Sequence, residues 1–161
     1  MTEADLIRFR FATADDVPAL VPMINAAYVV ESFLEGTRTN PVHLTAQLEK
    51  GRILVGEDDA GQILTSIYIE SREDRAYLGL FAVDPTHQGT GLGRRLFNAV
   101  EERLRAEGFS TIELTVLNLR PELLPIYRRF GFVETGTEAY RSPQDVKDGF
   151  SCHCIVMSKR L

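Results

Sequence analysis

The segment Gln88-Gly89-Thr90-Gly91-Leu92-Gly93-Arg94-Arg95 constrains this chain more than any other, because it sets glycines between a strand-like stretch and a helix-like one. Tyr77-Leu78-Gly79-Leu80-Phe81-Ala82-Val83 precedes it, apolar enough for a buried strand and closed by Asp84-Pro85. After it, Leu92, Leu96, Ala99, Val100 and Leu104 recur at helical spacing. Arg94, Arg95, Asn98, Glu101, Glu102 and Arg105 fill the opposite face, and Gly108 supplies a stop. A glycine-dense turn that opens a helix leaves several backbone N–H groups without partners and lets a ligand approach the main chain closely. The helix dipole adds a favourable potential for an anion. The turn is therefore read as a cradle for a phosphate or pyrophosphate.

Spacing separates the known cradles. A Walker loop needs Lys followed by Ser or Thr after its last glycine, and here Arg94-Arg95 follow Gly93. The dinucleotide fingerprint needs two residues between its second and third glycines, but only Leu92 separates Gly91 from Gly93. What precedes the turn also reads as antiparallel hairpins rather than a first βαβ unit. The pattern that remains is Val83-x-Pro85-x-x-Gln88-x-x-Gly91-x-Gly93. Further on, Leu114-Thr115-Val116 leads to Tyr127-Arg128-Arg129-Phe130-Gly131-Phe132. Together the two motifs resemble those of the GCN5-related N-acetyltransferases, the GNAT superfamily. Two places depart from the commonest form. Arg120-Pro121-Glu122-Leu123 stands where many members have Asn and small alanines, and Pro125 replaces another small residue. The form Arg-x-Glu-Leu-x-x-x-Tyr, with Val83-Asp84-Pro85 and Tyr77-Leu78-Gly79, is similar to a branch of small stand-alone members.

The rest of the chain reads consistently with this. Residues 6–12 alternate apolar and basic residues as a first strand. Thr13, Asp15 and Asp16 offer capping oxygens for a helix carrying Leu20, Ile24, Ala27 and Tyr28 inward, with Pro18 and Pro22 near its start. Residues 31–40 are polar and irregular, and Pro41 opens a second helix through Leu44 and Leu48 to Gly51. Strands at 53–56 and 63–70 lead by turns into the central strand, an antiparallel meander. A strand at 111–117 follows the long helix, which implies a right-handed parallel crossover. Pro121 suits the first turn of a helix placing Leu123, Ile126, Tyr127 and Phe130 on one side. A strand from Phe132, a polar loop at 138–148 and a last strand at 152–157 complete the order βααβββαβαββ. The fold class expected is α/β (α+β), the acyl-CoA N-acyltransferase fold, with a mixed central sheet of six to seven strands flanked by about four helices. It occupies one domain, residues 1–161.

The resemblance implies an N-acetyltransferase that moves an acetyl group from acetyl-CoA to a primary amine. The amides of Gly89, Thr90, Gly91, Leu92, Gly93 and Arg94, next to Gln88, are then expected to hold the pyrophosphate. The main chain of Phe81, Ala82 and Val83 is expected to pair with the pantetheine like an added strand. Arg120, Leu123 and Tyr127 are expected to touch the cosubstrate from the following segment. Tyr127 matches the family's usual general acid, beside the sulfur, although a core aromatic on the stripe with Leu123 and Phe130 is the plainer reading of the same position. The attacking amine must be neutral, and the leaving thiolate benefits from a donor. Glu31 and Glu70 lie where the family often shapes the acceptor site, so either is a candidate base; a water relay to bulk is an equal alternative. A non-catalytic acyl-CoA-binding regulatory module is the competing function, and a phosphate-binding protein for some other nucleotide is a third reading.

Composition bounds the partners. The 161 residues are 44% hydrophobic and 25% charged, enough for a proper core. A net charge of −5 argues against nucleic-acid or anionic-membrane binding. Residues 1–10 contain no apolar leader and no stretch suffices to span a bilayer, so a cytoplasmic protein is expected. Cys152-His153-Cys154 on a strand sends its cysteines one way and its histidine the other, so no metal is expected. The acceptor is read as a small-molecule amine, with a peptide amine open, because the loops at 31–40 and 138–148 are placed to enclose a compact site. Arg38 is a candidate contact for an acidic group of the substrate, or else a free surface arginine. A homodimer is compatible with such a fold and nothing in the sequence fixes it.

Overall fold

The computed structural model describes residues 6–161. Strand β1 (Arg8–Phe11) leads through a 3-10 turn at Ala14–Asp16 into α1 (Val17–Ala27), and α2 (Pro41–Lys50) follows. Strands β2 (Arg52–Glu57), β3 (Ile63–Arg72) and β4 (Arg75–Val83) form the meander. Then come α3 (Leu92–Ala106), β5 (Thr111–Leu117), α4 (Leu123–Arg129), β6 (Val133–Ala139) and β7 (His153–Arg160). The order βααβββαβαββ is thus the observed one. Local chemistry starts the first helices. Thr13 and Asp16 form a reciprocal capping box, and the Asn40 side chain accepts from the His43 amide ahead of α2. Strand β1 is shorter than the reading of 6–12 because its partner β2 ends at Glu57, opposite Arg8. The reading of residues 1–10 as free of an apolar leader lies partly outside the described residues. Among the described residues, no helix is long and apolar enough to cross a membrane.

The strands form a seven-stranded sheet in the order β1-β2-β3-β4-β5-β7-β6, antiparallel except for the parallel pair β4–β5. Leu96, Phe97, Val100 and Leu104 of α3 pack on one face, against Ile67, Leu78, Ile112 and Leu114. Leu20, Ile24 and Leu44 of α1 and α2 pack on the other, with Ile53, Val55, Leu80 and Ala82.

Two irregularities in β4 make the site. Opposite β3, Ser66 faces Ala82 but Tyr68 faces Gly79, which leaves Leu80 and Phe81 against the single residue Ile67. Leu80 sits in the left-handed region at φ 50° to accommodate this β-bulge. The extra residue switches the faces of the strand. Ala76 and Leu78 point to the α3 layer, whereas Leu80 and Ala82 point to the α1–α2 layer. On its other edge, β4 pairs with β5 only from Arg75 opposite Thr111 to Leu78 opposite Leu114. Beyond that point the two strands diverge, and a wedge opens in the sheet.

Candidate active site

The wedge is a cleft of about 550 Å³. Phe81, Ala82 and Val83 line one wall; Gln88, Gly89, Gly91, Leu92, Gly93 and Arg94 form the floor; Arg120, Leu123 and Tyr127 form the far wall. Thr90 is the one expected cradle residue that does not line it; its hydroxyl instead donates to the His87 carbonyl at 2.6 Å. The loop is held from within. Asp84 accepts from the Thr86 amide at 2.9 Å and the Thr86 hydroxyl at 2.6 Å, while the Gln88 side chain donates to the Val83 carbonyl at 3.2 Å. His87 lies with its Nδ1 2.9 Å from the Thr86 hydroxyl and borders the cleft.

The glycines divide the work. Gly89 and Gly91 have φ of 78° and 83°, and a Cβ on either would meet nothing within 4 Å. That open space lets a group approach the main chain closely at this turn. Gly93 is different: its Cβ would stand 2.8 Å from Cζ of Phe81, so this glycine lets α3 pack on β4. No side chain caps the start of α3, so its first-turn amides remain available to an anion. Arg94 reaches across to α4, its guanidinium 4.9 Å from the Phe130 ring centroid. Backbone amides, glycine space and an arginine together suit a pyrophosphate.

At the inner end of the cleft, Tyr127 is 8% exposed, and its ring lies 6.0 Å from that of Phe97 and 6.1 Å from that of Phe132. Burial pushes its phenol well above the ordinary range, with Tyr28 reinforcing and Arg120 opposing. Tyr127 also borders a second chamber of about 120 Å³, whose wall includes Tyr28, Glu31, Arg38, Tyr77, Tyr140 and Arg141. Glu31 is buried there and accepts from Nη1 of Arg120 at 2.8 Å; Nε of Arg120 turns to Glu122 at 2.5 Å. Burial raises the Glu31 carboxyl despite the arginine. Burial likewise pushes the Tyr28 phenol up to about 12. Glu70 is not brought to either cavity: it pairs with Arg72 at 2.7 Å and stands 4.0 Å from Lys50. Cys154 is buried against the chamber as a free thiol, raised chiefly by burial.

The two loops meet over this chamber. Leu34 and Val146 form an isolated bridge, the Glu35 amide donates to the Asp145 carbonyl at 2.8 Å, and the Lys147 amide to the Phe33 carbonyl at 2.9 Å. Nε2 of Gln144 donates to the Glu35 carbonyl at 3.1 Å, and the Tyr140 hydroxyl to the Gln144 carbonyl at 2.9 Å. Tyr28, Tyr77, Tyr140 and Arg141 were not singled out from sequence as chamber residues. For Tyr28 the signal was present, a tyrosine at the end of a helix just before a polar loop; the others depend on the bulge and on this loop contact.

Known proteins share this architecture. The model of the acetyltransferase (GNAT) domain matches residues 25–143. The chain is 26% identical to the S-alkylcysteine N-acetyltransferase of Bacillus subtilis over 168 aligned positions, covering 95% of this chain and 91% of that one. It is 28% identical to the mycothiol acetyltransferase of Propionibacterium freudenreichii over 137 positions, but that match takes in 80% of this chain and spans only 44% of the relative's length. Among solved structures, the ribosomal-protein-alanine N-acetyltransferase of Brucella melitensis superposes with TM-score 0.76 at 23% identity, over 96% of this chain and 99% of that one. The yncA protein of Salmonella typhimurium, solved with its cofactor acetyl-CoA, superposes with TM-score 0.72 at 21% identity, over 97% and 94%. A split β4–β5 pair, a glycine cradle at the start of α3 and a domain match across most of the chain agree: this protein belongs to the GNAT family, the class of acetyl-CoA-dependent N-acetyltransferases.

Proposed function

We propose that the cleft binds acetyl-CoA and that the chain transfers its acetyl group to a primary amine held in the adjoining chamber. The observation that carries this reading is continuity. One cavity runs from the uncapped amides of α3, along the unpaired edge of β4, to Tyr127, and a polar chamber begins on the other side of that tyrosine. The first-turn amides and Arg94 hold the pyrophosphate, and the free edge of β4 at Phe81 and Val83 pairs with the pantetheine. Acetyl-CoA supplies an activated thioester. The acceptor nitrogen forms the new C–N bond to the acetyl carbon as the C–S bond breaks. Tyr127, kept protonated by burial, donates to the departing sulfur, whose own basicity the same apolar surroundings raise. The proton lost from the amine goes to Glu31, the carboxylate that faces the chamber and whose basicity burial increases.

The non-catalytic binding module is the weaker reading, because holding CoA requires no polar chamber beyond Tyr127. Calorimetry with acetyl-CoA, beside thiol release on a panel of amines, amino acids and peptides, tests the proposal. Gly91→Leu is expected to weaken acetyl-CoA binding at least about tenfold while circular dichroism stays native, since a bulky side chain fills the cradle and the left-handed strain of a residue unbranched at Cβ amounts to ~1–2 kcal/mol. Undiminished affinity in this variant removes the cradle. Tight binding without turnover on any amine favours the binding module.

A further inference from the structure

The chamber beyond Tyr127 is electrically lopsided. The charged side chains lining it are Glu31, Arg38 and Arg141. Glu31 shares Arg120 with Glu122, at 2.8 Å and 2.5 Å, and lies within the field of Arg38 as well. Two guanidinium groups thus face one carboxylate across the chamber of a protein whose net charge is −5. Arg38 has its guanidinium carbon 5.2 Å from the centroid of the Tyr28 ring, and it makes no hydrogen bond or ion pair with another described residue. A guanidinium resting on an aromatic face is held in place while its N–H fork stays free for a planar anion.

The position of Arg38 is built rather than incidental. The amide of Asn25, on α1, clips the next residue at both backbone groups: Nδ2 donates to the Thr39 carbonyl at 3.0 Å, and the Thr39 N–H donates to Oδ1 at 2.9 Å. Thr39 itself is 3% exposed. Arg141 arrives from the opposite loop, at the chamber mouth, through the Gln144 and Tyr140 contacts that tie the two loops together. A simple cationic amine gains nothing from two unpaired arginines. An amine that carries its own carboxylate gains a bidentate partner on Arg38.

Resting on the acetyl transfer proposed above, we infer that the acceptor is a small amino acid-like amine whose carboxylate is bound by Arg38, with Arg141 at the mouth, and whose nitrogen points to Tyr127 and Glu31. The chamber of about 120 Å³ suits such a compact molecule, whereas a protein N-terminus has an amide where this site offers a carboxylate partner.

The test compares matched acceptors on the full chain with acetyl-CoA: free amino acids, including S-alkylated cysteines, their C-terminal amides, and short peptides. The wild type is expected to favour the acid over its amide by about 10- to 100-fold in kcat/KM, the value of a charge-assisted bidentate pair. In Arg38→Met that ratio should collapse toward one, and Arg38→Lys should restore part of it. Calorimetry of acid against amide on the CoA-bound wild type gives the same preference without turnover. Equal use of acid and amide by the wild type, an unchanged ratio in Arg38→Met, or turnover confined to peptides overturns the inference while leaving the transferase intact. Failure to bind acetyl-CoA, or binding with no thiol release on any acceptor, overturns the transferase reading and this inference with it.

Discussion

Tyr127 is a wall residue of both cavities, and its ring is held by Phe97, Phe130 and Phe132. The ring therefore has a packing role whatever the hydroxyl does, and only removal of the oxygen separates the two. Tyr127→Phe keeps the aromatic body, so thermal stability should change little. If the hydroxyl donates to the leaving sulfur, kcat should fall by about 100-fold, while KM for acetyl-CoA moves far less. Steady-state kinetics decide it, and an unchanged kcat returns the residue to the core. The role assigned to Tyr127 rests on a motif that was legible in the sequence, Tyr-x-x-x-Gly-Phe. What the sequence could not tell is which carboxylate shares its cavity. Glu31 and Glu70 looked equivalent as loop and strand-end acids. Only the fold puts Glu31 beside Arg120 and Tyr127 and leaves Glu70 with Arg72 and Lys50.

At the scale of elements, the strands and helices announced themselves by period, because their apolar stripes are what pack the two core layers. The α3 stripe and the glycine turn before it were readable for that reason. The β-bulge was not. Leu80 takes a left-handed conformation that no local residue advertises, and tertiary pairing with β3 enforces it. The sequence suggests only that the two loops enclose a site, since most bonds of their meeting run backbone to backbone between residues more than a hundred apart, and the side chain that hydrogen-bonds across them, Gln144, has no partner legible in sequence. One side chain does mark the ordering of the first loop. Asn25 satisfies both backbone groups of Thr39, so Asn25→Ala should cost about 1–3 kcal/mol and loosen residues 31–40. Chemical denaturation measures the first effect. Hydrogen exchange measures the second, and it should be accompanied by a higher acceptor KM.

At the scale of the whole molecule, one edge of the sheet is held by a charge cluster. Glu57, buried at the end of β2, pairs with Arg10 at 3.1 Å and with Arg8, and Arg10 also takes Asp16 at 2.9 Å. The Arg10 guanidinium is the main reason that both carboxyls are held below their ordinary values. The unfolded chain then binds more protons than the folded one as the pH drops. The stability these groups contribute is whole above their unfolded values and is lost as pH falls through the lowered folded ones. Arg10→Met should therefore cost about 1–3 kcal/mol at pH 7, and the gap from wild type should narrow as the pH falls below the ordinary carboxyl range. Urea unfolding at the two extremes checks the sign.

The wedge carries a consequence for the sheet as a whole. Strands β4 and β5 join the two halves of the sheet through the pairs from Arg75–Thr111 to Leu78–Leu114, and then part. The β-structure is thus two blades joined near one end, with a length of β4 edge left unpaired beyond the join. On the proposed function, the pantetheine arm pairs with that edge, so the cosubstrate is a mechanical component of the protein as well as its reagent. Stability then follows acetyl-CoA concentration by mass action, and the supply of acyl donor sets how taut the molecule is before any acceptor arrives.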